Sequence, residues 1–212
     1  MIPRSKEAAS IADRLMAEEP ALVVLAGPNG AGKTTFVATF LHSLDFPFIN
    51  ADVIAKQLWP SQPDGVAYEA AKIADGMRRS LLATGASFIM ETVFSDREGS
   101  KLQFLRDAQK SGYTVCLVFI GLGSSHLALA RVLERTEEGG HDVPDEKVVN
   151  RFPRTHENLR DALAFVDHAF IFDNSSSYTP YRFIAEMESG RVIRSGRYQP
   201  RWWKTIRQAP RE

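Results

Sequence analysis

Apolar positions along the chain follow two alternating patterns. Short, nearly continuous runs occur at Ala21–Ala26 (ALVVLA), 46–50 (FPFIN), 87–90 (SFIM), 113–121 (YTVCLVFIG) and 168–172 (HAFIF). Their length and their β-branched and aromatic content are those of strands buried on both faces. Between them apolar residues recur at helical spacing. This predicts helices at 8–16, 33–44, 53–58, 66–84, 102–111, 125–135 and 145–164, the last interrupted or bent near Pro153. The clusters at 60–65 and 137–144 (EEGGHDVP) read as loops. The stretches 182–188 and 191–196 resemble a hairpin turned at Ser189-Gly190.

Strands alternating with helices require right-handed crossovers, and therefore a parallel sheet with helices on both faces. The expected fold is α/β of the P-loop NTPase/kinase type. It forms one domain over residues 1–212, with a five-stranded parallel sheet and a C-terminal hairpin. In such sheets ligands bind beyond the carboxyl ends of the strands. The residues there are the glycine-rich loop after the first strand, Asp52, Glu91, residues 121–125 and Asp173-Asn174.

Composition changes this picture little. Lys+Arg and Asp+Glu balance at 26 each, so no whole-molecule field attracts nucleic acid. The segment from Arg191 onward is locally basic, with seven basic residues and one acidic one around Trp202 and Trp203. Charge plus stacking is one reading of that tail; the preferred one has the tryptophans covering the sheet edge with the arginines solvated. The single Cys116 excludes an internal disulfide, fits a reducing compartment and sits in an apolar run as core. The first residues lack a secretory apolar region, and no run approaches the roughly 20 residues of a membrane span, so a cytoplasmic enzyme is expected.

Gly27, Pro28, Asn29, Gly30, Ala31, Gly32, Lys33 and Thr34 match G-x-x-x-x-G-K-[ST] in full, with Thr35 following. Glycines let the backbone curl so that N–H groups point at phosphate oxygens, and the helix beginning there adds its positive end. Lys33 is expected at the β- and γ-phosphates and Thr34 on Mg²⁺. No LSGGQ-type signature marks a transport ATPase and no NKxD-like element reads guanine, which favours ATP over GTP.

Asp52 follows the second strand, where a carboxylate suits a general base acting on an acceptor hydroxyl. NAD before a helix is equally an N-cap signal. Glu91 and Thr92 end the third strand, suited either to an Mg²⁺-bound water and acceptor hydroxyls or to turn chemistry beside Ser95 and Asp96. A lid is expected at about 125–160, bearing Arg131, Arg135, Arg151 and Arg154. Arginines there either neutralise a transferring phosphoryl group or pair with Glu134, Glu138 or Glu157 on a solvated helix face. His141 lacks partners at metal-ligand spacing and reads as a loop residue.

Assembled in order, AGPNGAGKTTF, FINADVIA, FIMETVFS, GYTVCLVFIGL, RVLERTEEGGHDVPDEKVVNRFPR and FDNS resemble the zeta-toxin-like branch of the P-loop kinases, from about Ala26 to Ser175. The resemblance implies ATP-dependent phosphorylation of an alcohol group on a nucleotide sugar, UDP-N-acetylglucosamine in the known toxins. It implies Asp52 as general base, Glu91 and Thr92 at the acceptor, and Arg135, Arg151 and Arg154 at phosphates. It also implies a small antitoxin protein as partner. Two other functions fit the motifs: a nucleotide-binding regulatory module without turnover, and a polynucleotide 5′-kinase using the basic tail.

Overall fold

The computed structural model describes Ile11, Leu15 and residues 18–61, 64–137 and 143–208. The helix expected at 8–16 and the Gly139–His141 stretch lie outside the described residues, apart from Ile11 and Leu15, which are fully buried.

Seven strands form one sheet: β1 (Ala21–Ala26), β2 (Phe48–Ile49), β3 (Phe88–Thr92), β4 (Thr114–Gly121), β5 (His168–Asp173), β6 (Arg182–Glu188) and β7 (Arg191–Ser195), in the order β2-β3-β1-β4-β5-β6-β7. The first five are parallel, as expected. The hairpin is not an appendage. β6 pairs antiparallel with β5 and β7 with β6, so the hairpin continues the same sheet. A strand that returns without a crossover helix arrives antiparallel. Its turn has both central residues in the left-handed region, Ser189 at φ 46° and Gly190 at φ 77°, which suits the twist of a two-residue hairpin.

β1 is buried along its whole length. Its alternate side chains feed two cores. Leu22, Val24 and Ala26 meet Ala70, Ala74 and Leu105 on one face. Ala21, Val23 and Leu25 meet Phe36, Leu41, Ala128 and Val132 on the other. The helices that supply these contacts follow the strands in turn. They are α1 (Lys33–Phe36), α2 (Ala51–Leu58), α3 (Ala67–Thr84), α4 (Ser100–Lys110), α5 (Ser125–Glu137), α6 (Asp145–Ala162) and α7 (Arg201–Gln208). α1 passes into a π-type turn at Val37–Leu41 and a 3₁₀ turn at His42–Leu44, so the span expected to be one helix changes hydrogen-bond pattern twice. α6 is a single element that carries Pro153 within it and ends at Ala162 rather than 164.

The tail refines one expectation. Trp202, 8% exposed, lies against β4 in the middle of the sheet, while Trp203, 1% exposed, sits beside Met187 of β6 and Val192 of the edge strand β7. The Trp202 ring packs with Phe119 and stacks on His156, and its Nε1 donates to Asp173 Oδ2 at 2.7 Å. Gly121 has no side chain because the Trp202 ring occupies that space. With both indoles committed to the core, they offer no platform for stacking bases.

Candidate active site

The loop between β1 and α1 is shaped by close approach. A methyl group on Gly27 would overlap the Ile120 carbonyl oxygen of β4, so only glycine lets the loop cross the strand end. Gly32 sits at φ 84° as the N-cap of α1. Two side chains from beyond β5 hold the outer side of this loop. Asn174 Nδ2 donates to Ala31 O at 2.9 Å, and the Tyr181 hydroxyl donates to Gly32 O at 2.9 Å.

Lys33 is 6% exposed and donates through Nζ to Pro28 O at 3.1 Å, with Glu91 Oε1 3.7 Å away. Burial pulls its pKa below the ordinary value; Glu91 and Asp52 oppose that shift, and the charge of Arg135 adds to it. An anionic phosphate would relieve this buried cation.

β3 brings Glu91 beside the same loop. Its Oε2 accepts from the Thr34 hydroxyl at 2.8 Å and from Asn50 Nδ2 at 2.7 Å. The Glu91 carboxylate therefore stands against the phosphate-binding side, and it also lines the adjoining cavity. Among the described residues no group of three or more His, Cys, Asp or Glu is placed to hold a metal ion. A hydroxyl and one carboxylate facing each other nevertheless fit Mg²⁺ that arrives with a nucleotide, since that ion takes its other ligands from phosphates and water.

The competing roles of Asp52 are separated by Asn50. Asn50 Oδ1 accepts from the backbone N–H groups of Asp52 and Val53, at 2.8 and 3.2 Å, and so caps α2. The Asp52 side chain is left exposed on the first turn, at the wall of the cavity.

That cavity has a volume of about 850 Å³. Six cationic side chains line it, from Arg78, Arg97, Lys101, Lys147, Arg151 and Arg154, against the three carboxylates of Asp52, Glu91 and Asp96. The excess of positive charge suits an anionic ligand. Arg78 is 6% exposed on α3, and burial lowers its pKa while Asp75 opposes. Burial likewise lowers Lys101, with neighbouring Arg78 as a further cause.

α6 shapes the cavity floor by gripping the segment after β3. Thr155 Oγ1 donates to Val93 O, Asn158 Nδ2 to Phe94 O and Asp96 O, and Arg154 Nε to Ser95 O, all at 2.9 to 3.1 Å. Phe94, held at φ 61°, is buried, and its N–H donates to Thr92 Oγ1 at 3.0 Å.

The lid arginines divide into two groups. Arg151 and Arg154 line the cavity. Arg135, on α5, is not part of that lining, and its charge is felt at Lys33. Arg131 packs its Cβ beside Gly30. Asp173, at the end of β5, is taken up by Trp202 and by the backbone and hydroxyl of Ser175, so it closes a turn rather than facing a ligand. The sequence patterns did not mark Asn50, Arg78, Arg97, Lys101, Lys147 or Tyr181. Of these only Asn50 carried a usable signal, as a cap former at a strand end.

A phosphate-binding loop on a parallel sheet, opening onto a cationic cavity at the carboxyl ends of β2 and β3, defines a fold of the P-loop kinase class. The sequence matches the Zeta toxin family over residues 7–183, and the chain belongs to that family. It is 30% identical over 126 residues to an uncharacterized protein of Haemophilus influenzae, covering 59% of this chain and 88% of the relative. Its fold is similar to that in the crystal structure of AvrRxo1-ORF1:-ORF2 with ATP, with TM-score 0.65 and 20% identity, covering 88% of this chain and 64% of that one. This chain thus spans a little under two thirds of the AvrRxo1 chain. It is similar, too, to a structure from the PezAT chromosomal toxin-antitoxin system of Streptococcus pneumoniae, with TM-score 0.61 and 19% identity, covering 86% and 81% of the two chains. No described helix is long and apolar enough to cross a membrane.

Proposed function

We propose that this protein transfers the γ-phosphoryl group of ATP to a hydroxyl of a small anionic acceptor, with a nucleotide sugar such as UDP-N-acetylglucosamine as the first candidate. One observation carries the reading: the Asp52 carboxylate, released from capping by Asn50, lines the cationic cavity together with Glu91, whose own carboxylate meets Thr34 and Lys33. A base at that junction takes the proton of a hydroxyl presented from the cavity as the phosphorus–oxygen bond forms.

Residues 27–35 cradle the triphosphate, with Lys33 at the β- and γ-phosphates. Thr34 and Glu91 would hold Mg²⁺, which supplies charge neutralisation when bound with the nucleotide. Glu91 and Thr92 also border the acceptor. Arg135 reaches the donor phosphates from α5, while Arg151 and Arg154 hold anionic groups of the acceptor. Family membership makes a protein antitoxin the partner to test.

The test is incubation with γ-labelled ATP, Mg²⁺ and a panel of sugars, nucleosides and nucleotide sugars, with products identified by mass and Asp52→Ala alongside. A phosphorylated product made only by the unaltered protein is expected. Rapid ATP hydrolysis without acceptor, unchanged in Asp52→Ala, would sink the reading. Nucleotide binding with no product from the whole panel would leave a regulatory module instead.

A further inference from the structure

The phosphate-binding loop is held from outside by a closed circuit of side chains that its own motif does not contain. Asn174, the residue after β5, uses both ends of its amide. Nδ2 donates to Ala31 O at 2.9 Å, and Oδ1 accepts from Tyr181 N at 3.2 Å. Tyr181, just before β6, donates its hydroxyl to Gly32 O at 2.9 Å. The circuit therefore runs Ala31, Asn174, Tyr181, Gly32. It is anchored at Asn174, whose own N–H donates to Gly121 O at 2.9 Å.

Both partners are fixed by their own packing. Asn174 is 8% and Tyr181 3% exposed. The Tyr181 ring meets Phe36 and Phe40 edge-on, with centroids 5.3 and 5.6 Å away. Its backbone is held at φ 51°, a conformation that the Asn174 amide supports. Contact on the loop is tight. A Cβ on Gly32 would lie 2.8 Å from the Tyr181 hydroxyl and 2.9 Å from Asn174 Nδ2.

The direction of these bonds matters for the ligand. A peptide's carbonyl and N–H lie in one rigid plane and point in opposite directions within it. Fixing the carbonyls of Ala31 and Gly32 outward therefore fixes the N–H groups of Gly32 and Lys33. In this loop motif the N–H groups receive phosphate oxygens. We propose that Asn174 and Tyr181 are positioning residues for nucleotide affinity: they hold the phosphate-binding backbone in its receiving geometry, so that no ordering remains to be done when the triphosphate binds. This rests on the nucleotide-binding part of the proposed function.

The test uses Tyr181→Phe, which keeps the ring, and Asn174→Ala. Dissociation constants for ATP and for inorganic tripolyphosphate are measured by calorimetry well below the melting temperature of each variant. Each variant loses one hydrogen bond to the loop itself, which predicts binding weakened about 5- to 10-fold, by the same factor for both ligands, because the defect lies in the phosphate cradle alone. The double variant should fall short of the product of the two single effects, because the groups share one circuit. If both variants bind both ligands as tightly as the unaltered protein, whether or not they melt earlier, the positioning role is overturned and nucleotide binding stands. Should the unaltered protein bind neither ligand, the nucleotide reading itself fails and takes this role with it. Either variant suffices if the other does not fold.

Discussion

Asn50 and Glu91, from the ends of neighbouring strands, are joined by a 2.7 Å hydrogen bond from Nδ2 to Oε2, while the Asn50 oxygen caps α2. One side chain thus orients the carboxylate beside Thr34 and frees the Asp52 carboxylate two residues on. Asn50→Asp keeps the cap but sets a second carboxylate against Glu91. We expect Asn50→Asp to lose phosphoryl transfer and to melt lower despite the kept cap, because two largely buried carboxylates repel, and Asn50→Ala to melt about 2–4 °C lower through a cap loss of about 1 kcal/mol. Calorimetry and product assays on both variants check these outcomes.

Asp52→Asn should retain ATP affinity, since the residue lies outside the glycine loop, and should lower acceptor-dependent turnover about 10²–10⁴-fold, the usual worth of a positioned base. Undiminished turnover would remove Asp52 from the chemistry.

Lys33 is a buried cation whose pKa is pulled down chiefly by desolvation. The unfolded chain then holds that proton up to the ordinary value of 10.5, so the destabilisation is fully present below the folded pKa and fades as pH rises from there toward 10.5. Lys33→Met should therefore raise the melting temperature of the nucleotide-free protein while abolishing the gain in melting temperature that ATP confers. A thermal shift series with and without ATP checks both halves.

His156 is half-buried, its ring stacked on Trp202 and edge-on to Phe152, and the burial of its Nε2 side lowers its pKa to about 4. Its folded pKa lies below the unfolded one, so the unfolded chain takes up the proton first. Stability should fall as pH drops from about 6.5 toward 4, with a slope approaching one proton, and level off below that. His156→Gln should flatten this part of the unfolding profile measured by denaturant titration.

Asn158→Ala removes two hydrogen bonds from the segment after β3, those to Phe94 O and Asp96 O. The acceptor KM should rise several-fold with ATP affinity unchanged, because the defect lies on the cavity side alone. Steady-state kinetics with each substrate varied in turn reads the split.

Much of the parallel sheet was legible because continuous apolar runs and glycine stops are local signals, and the phosphate loop was legible because its residues are adjacent. The capping question at Asp52 was not: Asn50 and Asp52 are both good cap formers, and only the direction of one side chain separates them. Tyr181 was invisible for a different reason, lying 149 residues from the carbonyl it holds. Arg78 sits inside a helix beside Asp75, where an arginine reads as a solvated pair until the fold turns it toward the cavity. In the tail the covering role of Trp202 and Trp203 was legible, whereas the helix that joins them with Ile206 in one buried stripe was not, because a short segment rich in charge carries little helical signal.

The two borders of the sheet are unlike its interior. β2 offers only two residues, just after Pro47, and β7 presents exposed Arg191 and Arg194. Shortness on one side and charge on the other both discourage a foreign strand from joining. A protein that regulates this chain would thus find recognition by strand addition obstructed at both borders, and would have to engage a surface other than a sheet edge.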